Sequence, residues 1–373
     1  MASFERVHSL DYLRGVMAIS VMLYHFMGWS VGVPESETLI GRLGVYAVSS
    51  FYIISGASLY LVYRRKTWNV GEVGFYIAKR YLRIAPVFWL ATLLMIVFYI
   101  IKTGAFDPDW PRYFSNFSLT FGFYSPRDYI PGGGWSIGNE MTFYAIFPLM
   151  IMATVKPRVF LSVLAFSFLI YCYFAFFVLS NEFTLAEQWN IYINPLNQSF
   201  LFASGIAIGW FRDNSRNPSQ VGVWVIGAVS LLFMMFYPAS GNQINIVAGI
   251  NRILFTVFCI GLCYSAINCN IEKDLVLTKI LKFFGDISYS LYLLHSVVGV
   301  YFLQLVLPKI GQFSPMAKLY ILFLVVLPSI IFISFLIYRF IEIPFMKMGK
   351  RLAVVRGDKT AGVYNLGKLR DGY

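Results

Sequence analysis

The stretch Arg6 to Trp29, RVHSLDYLRGVMAISVMLYHFMGW, decides how the rest of the chain is read. Its apolar run is long enough to cross a bilayer, yet it carries Asp11, Arg14 and His25. An ionisable side chain at membrane depth costs about 3 kcal/mol or more, so such a residue marks a functional site by default. Arg14 and His25 are eleven residues apart. That is close to three turns, so they share one helix face and lie roughly 16 Å apart along the axis. Asp11 sits one turn before Arg14 on that face, where it can pair with it. Ala18 with Val21 or Met22 fills the stripe between. A histidine at one helix end and a snorkelling arginine at the other is the ordinary alternative. The alignment of the two on one face favours a site.

Composition sets the class. Hydrophobic residues make up 58% of the 373 and charged residues 13%, with mean hydropathy +0.66. A soluble domain would carry about a quarter charged residues, so the chain reads as an all-α, polytopic membrane protein. The net charge of +12 could suggest nucleic acid, but the basic residues cluster in short loops between apolar runs. That is the pattern of membrane topology, and no nucleic-acid partner is expected. The N-terminus lacks the basic, apolar and small-residue regions of a cleavable signal peptide, so the first helix is expected to serve as its own insertion signal. Cys172, Cys259, Cys263 and Cys269 lie in or at the ends of apolar runs without a histidine cluster, as packing residues would, and no metal site is expected.

Ten runs are long enough to approach a membrane crossing. They are Leu10 to Trp29, Leu43 to Tyr63, Ile77 to Ile101, Ser136 to Val155, Val159 to Ser180, Asn197 to Phe211, Val221 to Pro238, Ile250 to Asn268, Phe283 to Leu307 and Lys318 to Phe340. With the N-terminus inside, the cytoplasmic loops collect Arg6, Arg64 to Lys66, Lys79, Arg80, Arg83, Lys156, Arg158, Arg212, Arg216, Lys273, Lys279, Lys282 and the basic tail. The outside keeps Arg42, Lys102, Arg112, Arg127, Arg252, Lys309 and Lys318. This asymmetry predicts both termini in the cytoplasm of a multi-pass protein of a cell membrane. Residues 1–346 then form a transmembrane domain and 347–373 a basic cytoplasmic tail drawn to anionic membrane lipids. The outer loop Lys102 to Trp135 reads as long and structureless, which is uncommon unless a loop is functional. Its aromatic residues would alternatively rest at headgroup level.

Three further constellations carry chemistry. Lys79, Arg80 and Arg83 open the third helix, and Arg80 and Arg83 share a face, as a site for several phosphates would require. Trp135 to Glu140 begins the fourth run, with Tyr144 one turn further on. Glu140 and His25 would each lie about one turn below the outer surface, where a carboxylate could orient an imidazole. A carboxylate at a helix N-terminus would also be favoured by the dipole alone. His295, at the end of SYSLYLLH, falls near mid-membrane as a candidate functional group or a structural hydrogen-bonding one. Glu342 closes the last helix, where pairing with Arg339 would account for it.

In order, the pieces LDYLRG with His25, FYIISG at Phe51 to Gly56, KRYLRIAP at Lys79 to Pro86, WSIGNEMTFYAIFP at Trp135 to Pro148, SYSLYLLH at Ser288 to His295, and RFIEIP at Arg339 to Pro344 resemble membrane-bound acyltransferase family 3. That family includes O-antigen acetylases of lipopolysaccharide, exopolysaccharide acyltransferases and the Nod-factor acetylase. Many members add an extracytoplasmic hydrolase-like domain, and this chain resembles the stand-alone branch, for which a separate extracytoplasmic partner protein is an open expectation. The resemblance implies about ten transmembrane helices in a bacterial inner membrane and transfer of an acyl group, usually acetyl, from cytoplasmic acyl-CoA to a sugar hydroxyl on the outer face. It also ties activity to the residues mapping onto Arg14 and His25, and to the basic pair Arg80 and Arg83.

Together with the spacing, this places acetyl-CoA phosphates on Arg14, Lys79, Arg80 and Arg83, and the thioester beside His25. Glu140 and Arg14 join His25 as catalytic candidates. Asp11, Trp135, Tyr144 and His295 are candidates for binding the glycan. His25 could act as general base or as acyl carrier. The competing class is a secondary transporter or flippase with an intramembrane polar path.

Overall fold

Each of the ten apolar stretches folds as a helix in a computed structural model that describes residues 7–215, 218–271 and 275–355. Arg6, Arg216, Lys273 and most of the basic tail lie outside the described residues. In chain order the helices are α1 His8–Ser30, α2 Leu39–Tyr63, α3 Val70–Thr103, α4 Trp110–Phe117, α5 Gly134–Ala153, α6 Pro157–Val178, α7 Pro195–Asn214, α8 Gln220–Phe236, α9 Gly249–Asn268, α10 Val276–Ile310 and α11 Pro315–Gly349. No strand occurs among the described residues. Six helices, α2, α3, α6, α9, α10 and α11, are long and apolar enough to cross a membrane. In α1 that quality is diluted by Asp11, Arg14, His25 and three serines, the residues that give the helix its interest.

The ten long helices alternate in direction. At the His8 end, Ser9 donates to the Ala266 carbonyl, Arg64 pairs with Asp213 at 2.8 Å, and Gly349 lies against Lys79. At the opposite end Lys102 meets Gln304, and Arg42 reaches the end of α8. The first and last described helices therefore begin and finish at the same end.

The centre of the bundle is α1 laid against α10 and α2. Its predicted stripe is the buried one: Ala18, Val21 and Met22 are all enclosed. Two glycines let α1 and α10 touch backbone to backbone, since a Cβ on Gly15 would lie 2.8 Å from the Gly285 nitrogen. Close approach through small residues is how helices gain packing where lipid removes the hydrophobic drive.

Two arginines assigned to outer loops are core residues. Arg42 is buried and donates to the carbonyls of Ser36, Met234, Tyr237 and Ala239, closing the C-terminal end of α8. Arg252 is buried too, with its guanidinium 4.0 Å from the Tyr171 ring centroid and a bond to the Asn197 carbonyl. Counting loop charges cannot see such roles, because backbone carbonyls and aromatic faces inside the bundle also attract a cation.

The outer loop also departs from expectation: it is built, and it descends. The carbonyl of Phe117 accepts from Tyr81 at 2.8 Å and from Trp89 at 2.7 Å, both midway along the 34-residue α3. Asn116 pins the segment, donating to the Arg112 and Asp128 carbonyls while its Oδ1 accepts from the Ile130 amide. The short helix α4 is inside out, with Ser115 and Asn116 buried and Trp110 and Phe114 exposed. Irregular backbone at this level is tolerated because protein groups satisfy it.

Candidate active site

Two clusters of polar side chains share α1, one near each end. Near the His8 end, Arg14 donates to Asp11 Oδ1 at 3.2 Å and to Ser58 Oγ at 2.9 Å. The predicted pairing of Asp11 with Arg14 is thus present, and Asp11 is buried beneath it. Arg80 of α3 stands among three tyrosines, its guanidinium 5.5, 5.8 and 5.9 Å from the ring centroids of Tyr63, Tyr76 and Tyr144. One of its nitrogens reaches the Tyr63 hydroxyl at 3.4 Å, while its buried Nε has no partner. Arg83, one turn on, makes no hydrogen bond or ion pair among the described residues. It lies within electrostatic range of Arg14, Tyr144, Tyr289 and Glu342. Glu342 is buried and accepts from Ser290 at 3.1 Å, a partner that pairing within RFIEIP did not suggest.

Glu140 belongs to this cluster. It accepts from the Tyr144 hydroxyl at 3.0 Å, and Tyr144 also meets Ser55 at 3.1 Å. The expected contact between Glu140 and His25 does not form. The reason is the descending segment: α5 begins at Gly134, below the end of α1, so residues 132 and 133 are level with the histidine. Glu140, seven residues after Gly133, lies roughly 10 Å further toward the His8 end.

At the other cluster His25 meets His295 of α10, with His25 Nδ1 and His295 Nε2 3.1 Å apart. Trp29 stacks on both rings at 5.6 and 6.3 Å. Around them α10 grips the glycine turn before α5. Tyr292 donates to the Gly133 carbonyl and meets Ser136 at 2.8 Å, and Ser296 donates to the Gly132 carbonyl. Gly133 has φ 78°, and a Cβ there would press on the Tyr292 ring, so the turn requires glycine. Trp135 packs with Tyr52, Trp189 and Tyr192 instead of joining either histidine.

The sequence named His295 but not its partner, since two helices some 270 residues apart carry no local sign of contact. It missed Ser58, Tyr63 and Tyr76 as the surroundings of the arginines. The only available signal was Ser55, inside FYIISG, with Ser58 three residues on at helical spacing. Among the described residues no cluster of three His, Cys, Asp or Glu could hold a metal ion. Cys259 and Cys263 are buried and unbridged.

Comparison with known proteins adds to this geometry. "Putative O-acetyltransferase SACOL0978" of Staphylococcus aureus (strain COL) is 24% identical over 384 residues, covering 92% of this chain. The chain spans 58% of that protein's length. "Exopolysaccharide production protein ExoZ" of Rhizobium meliloti (strain 1021) is 26% identical over 330 residues, 84% of this chain and 93% of that protein. No solved structure matches. The model of the acyltransferase domain family matches residues 7–339, from the start of α1 through the arginine and histidine clusters into RFIEIP, and the chain belongs to that family.

Proposed function

We propose that this protein transfers an acyl group, acetyl foremost, from cytoplasmic acyl-CoA to a hydroxyl of a surface glycan such as an exopolysaccharide or O-antigen. The observation that carries the donor is unused cationic capacity inside the bundle. Arg80 Nε is buried without a partner and Arg83 has no hydrogen bond or ion pair among the described residues. Buried donors are almost always satisfied in a folded chain, which supports an external anion as the partner of Arg80 Nε; the other unpartnered guanidinium nitrogen among the described residues, on Arg252, belongs to a side chain laid over the Tyr171 ring. Guanidinium groups bind phosphate through parallel charge-assisted hydrogen bonds. Arg80, Arg83 and Arg14 would hold the phosphates of CoA, with Lys79 at the rim. The pantetheine arm would then run along α1 over the roughly 16 Å to His25. Glu140, through Tyr144, would balance the cationic cluster.

At the far end His25 would take the proton of the sugar hydroxyl as it attacks the thioester carbonyl. The relative named for exopolysaccharide production supports a glycan acceptor, soluble or lipid-linked. With the His8 end in the cytoplasm, as the loop charges favour, donor and acceptor would approach from opposite faces.

Purified protein should bind radiolabelled CoA, and should consume acetyl-CoA only when a glycan acceptor is added. Absence of CoA binding by the native protein would overturn the proposal. Transport of the glycan without acyl transfer would instead support the flippase alternative.

A further inference from the structure

The contact between the two histidines extends the reaction proposed above and rests on it. His295 is fully buried, its Nδ1 3.2 Å from the Leu291 carbonyl one turn earlier and its Nε2 3.1 Å from His25 Nδ1. For a neutral pair, one arrangement of protons satisfies both contacts. A carbonyl oxygen only accepts, so His295 Nδ1 carries the hydrogen, and its Nε2 is left as a lone pair. His25 Nδ1 must then be the donor across the 3.1 Å contact. A neutral imidazole has a single N–H, so His25 Nε2 holds the remaining lone pair. The Val21 carbonyl one turn before His25 also accepts from this ring; sharing the Nδ1 hydrogen with His295, it leaves Nε2 open to the acceptor, and the His25 side chain is only half-buried. Trp29 stacks across both rings within 26° of parallel, and Tyr292 lies 6.0 Å from His295, so the pair is held in orientation as well as in contact.

We propose that His295 is a positioning residue, which fixes the tautomer of His25 and so leaves His25 Nε2 as the base for the acceptor hydroxyl. The relay runs from the Leu291 carbonyl through His295 to His25, with a second imidazole where a carboxylate stands in better-known triads. In the transfer step the hydroxyl proton moves to His25 Nε2 as the sugar oxygen forms its bond to the thioester carbonyl carbon. The C–S bond then breaks, and the departing thiolate takes the proton from Nε2. While His25 is protonated, its Nδ1–H bond to His295 is charge-assisted and strengthens. An unpositioned ring would spend part of its time with Nε2 protonated, unable to accept.

The test uses the whole chain, whose three histidines make selective labelling tractable. In protein labelled with 15N-histidine, the resonances of His25, assigned by His25→Gln, should report Nδ1–H in the native protein. They should report a mixture of tautomers in His295→Phe, which keeps an aromatic ring but has no acceptor. Turnover with acetyl-CoA and glycan should fall roughly 100-fold in His295→Phe, with KM for acetyl-CoA unchanged. His295→Gln, whose carbonyl oxygen can accept from His25, should restore turnover to within about tenfold of native. Nε2–H on His25 in the native spectrum would overturn the assignment. So would higher turnover in the phenylalanine variant than in the glutamine variant, which is the order a stacking role predicts. The spectra do not depend on catalysis, so a native protein that shows the Nδ1–H tautomer and transfers no acyl group would refute the proposed reaction alone.

Discussion

At the scale of single residues, the arginines divide by what already surrounds them. Arg42 is satisfied by four carbonyls, and Arg252 holds one carbonyl and an aromatic face with its Nη1 unpartnered, while Arg80 has an unpartnered Nε beside Arg83, which makes no hydrogen bond or ion pair among the described residues. Contacts to the nucleotide end of CoA would be equal in ground and transition states. Arg80→Ala and Arg83→Ala should therefore raise KM for acetyl-CoA roughly tenfold to hundredfold, with turnover little changed, as for a charged hydrogen bond of about 1.5–3 kcal/mol. Steady-state kinetics on purified variants would show this, and an unchanged KM would remove both from the donor site. Arg80→Lys should fare no better than alanine, because an ammonium cannot stack among three rings as a planar guanidinium does. The Glu140 to Tyr144 contact makes a separate prediction. Glu140→Gln and Tyr144→Phe should couple by about 0.5–3 kcal/mol in a double-mutant cycle on kcat/KM, since they touch. Glu140→Gln combined with Trp29→Phe, at the histidine end, should be additive within about 0.5 kcal/mol.

At the scale of elements, the contact between α1 and α10 sets the histidine pair. Gly15 and Gly285 are where the two helices touch, and a side chain at either would strike backbone. Gly15→Leu should lower the melting temperature in detergent and abolish transfer, because separating the helices also separates His25 from His295. Overpacking a tight contact costs about 1–3 kcal/mol. Gly74→Ala, where a Cβ would meet nothing within 4 Å, should leave both unchanged or slightly improve stability by favouring the helix. Equal behaviour of the two variants would contradict the packing described.

At the scale of the molecule, the fold rests on alternating helices and on a descending segment before α5. Single cysteines in a background lacking the native four should test both with a membrane-impermeant thiol reagent. Positions 106 and 124, whose side chains are exposed, should label in intact cells, whereas position 116 should not, because Asn116 is enclosed. Labelling at 64 or 65 should require permeabilised cells. The reverse pattern would invert the topology and move the proposed donor site to the wrong compartment.

The sequence by itself determined the helical membrane class, the approximate bounds of ten helices and the alignment of Asp11, Arg14 and His25. Helical periodicity and the exclusion of charge from apolar runs are local properties, written residue by residue. It could also place Arg80 beside Arg83, for the same reason. Only the tertiary structure decided which group meets His25. The depth of Glu140 depends on how far residues 106 to 133 descend between α3 and α5, and that is set by Tyr81 and Trp89 donating to the Phe117 carbonyl and by Asn116 folding the segment. Likewise the pairing of His25 with His295 follows from two glycines meeting where α1 crosses α10. A contact between distant helices is fixed by crossing point and relative depth, and neither quantity is carried by the period of either helix.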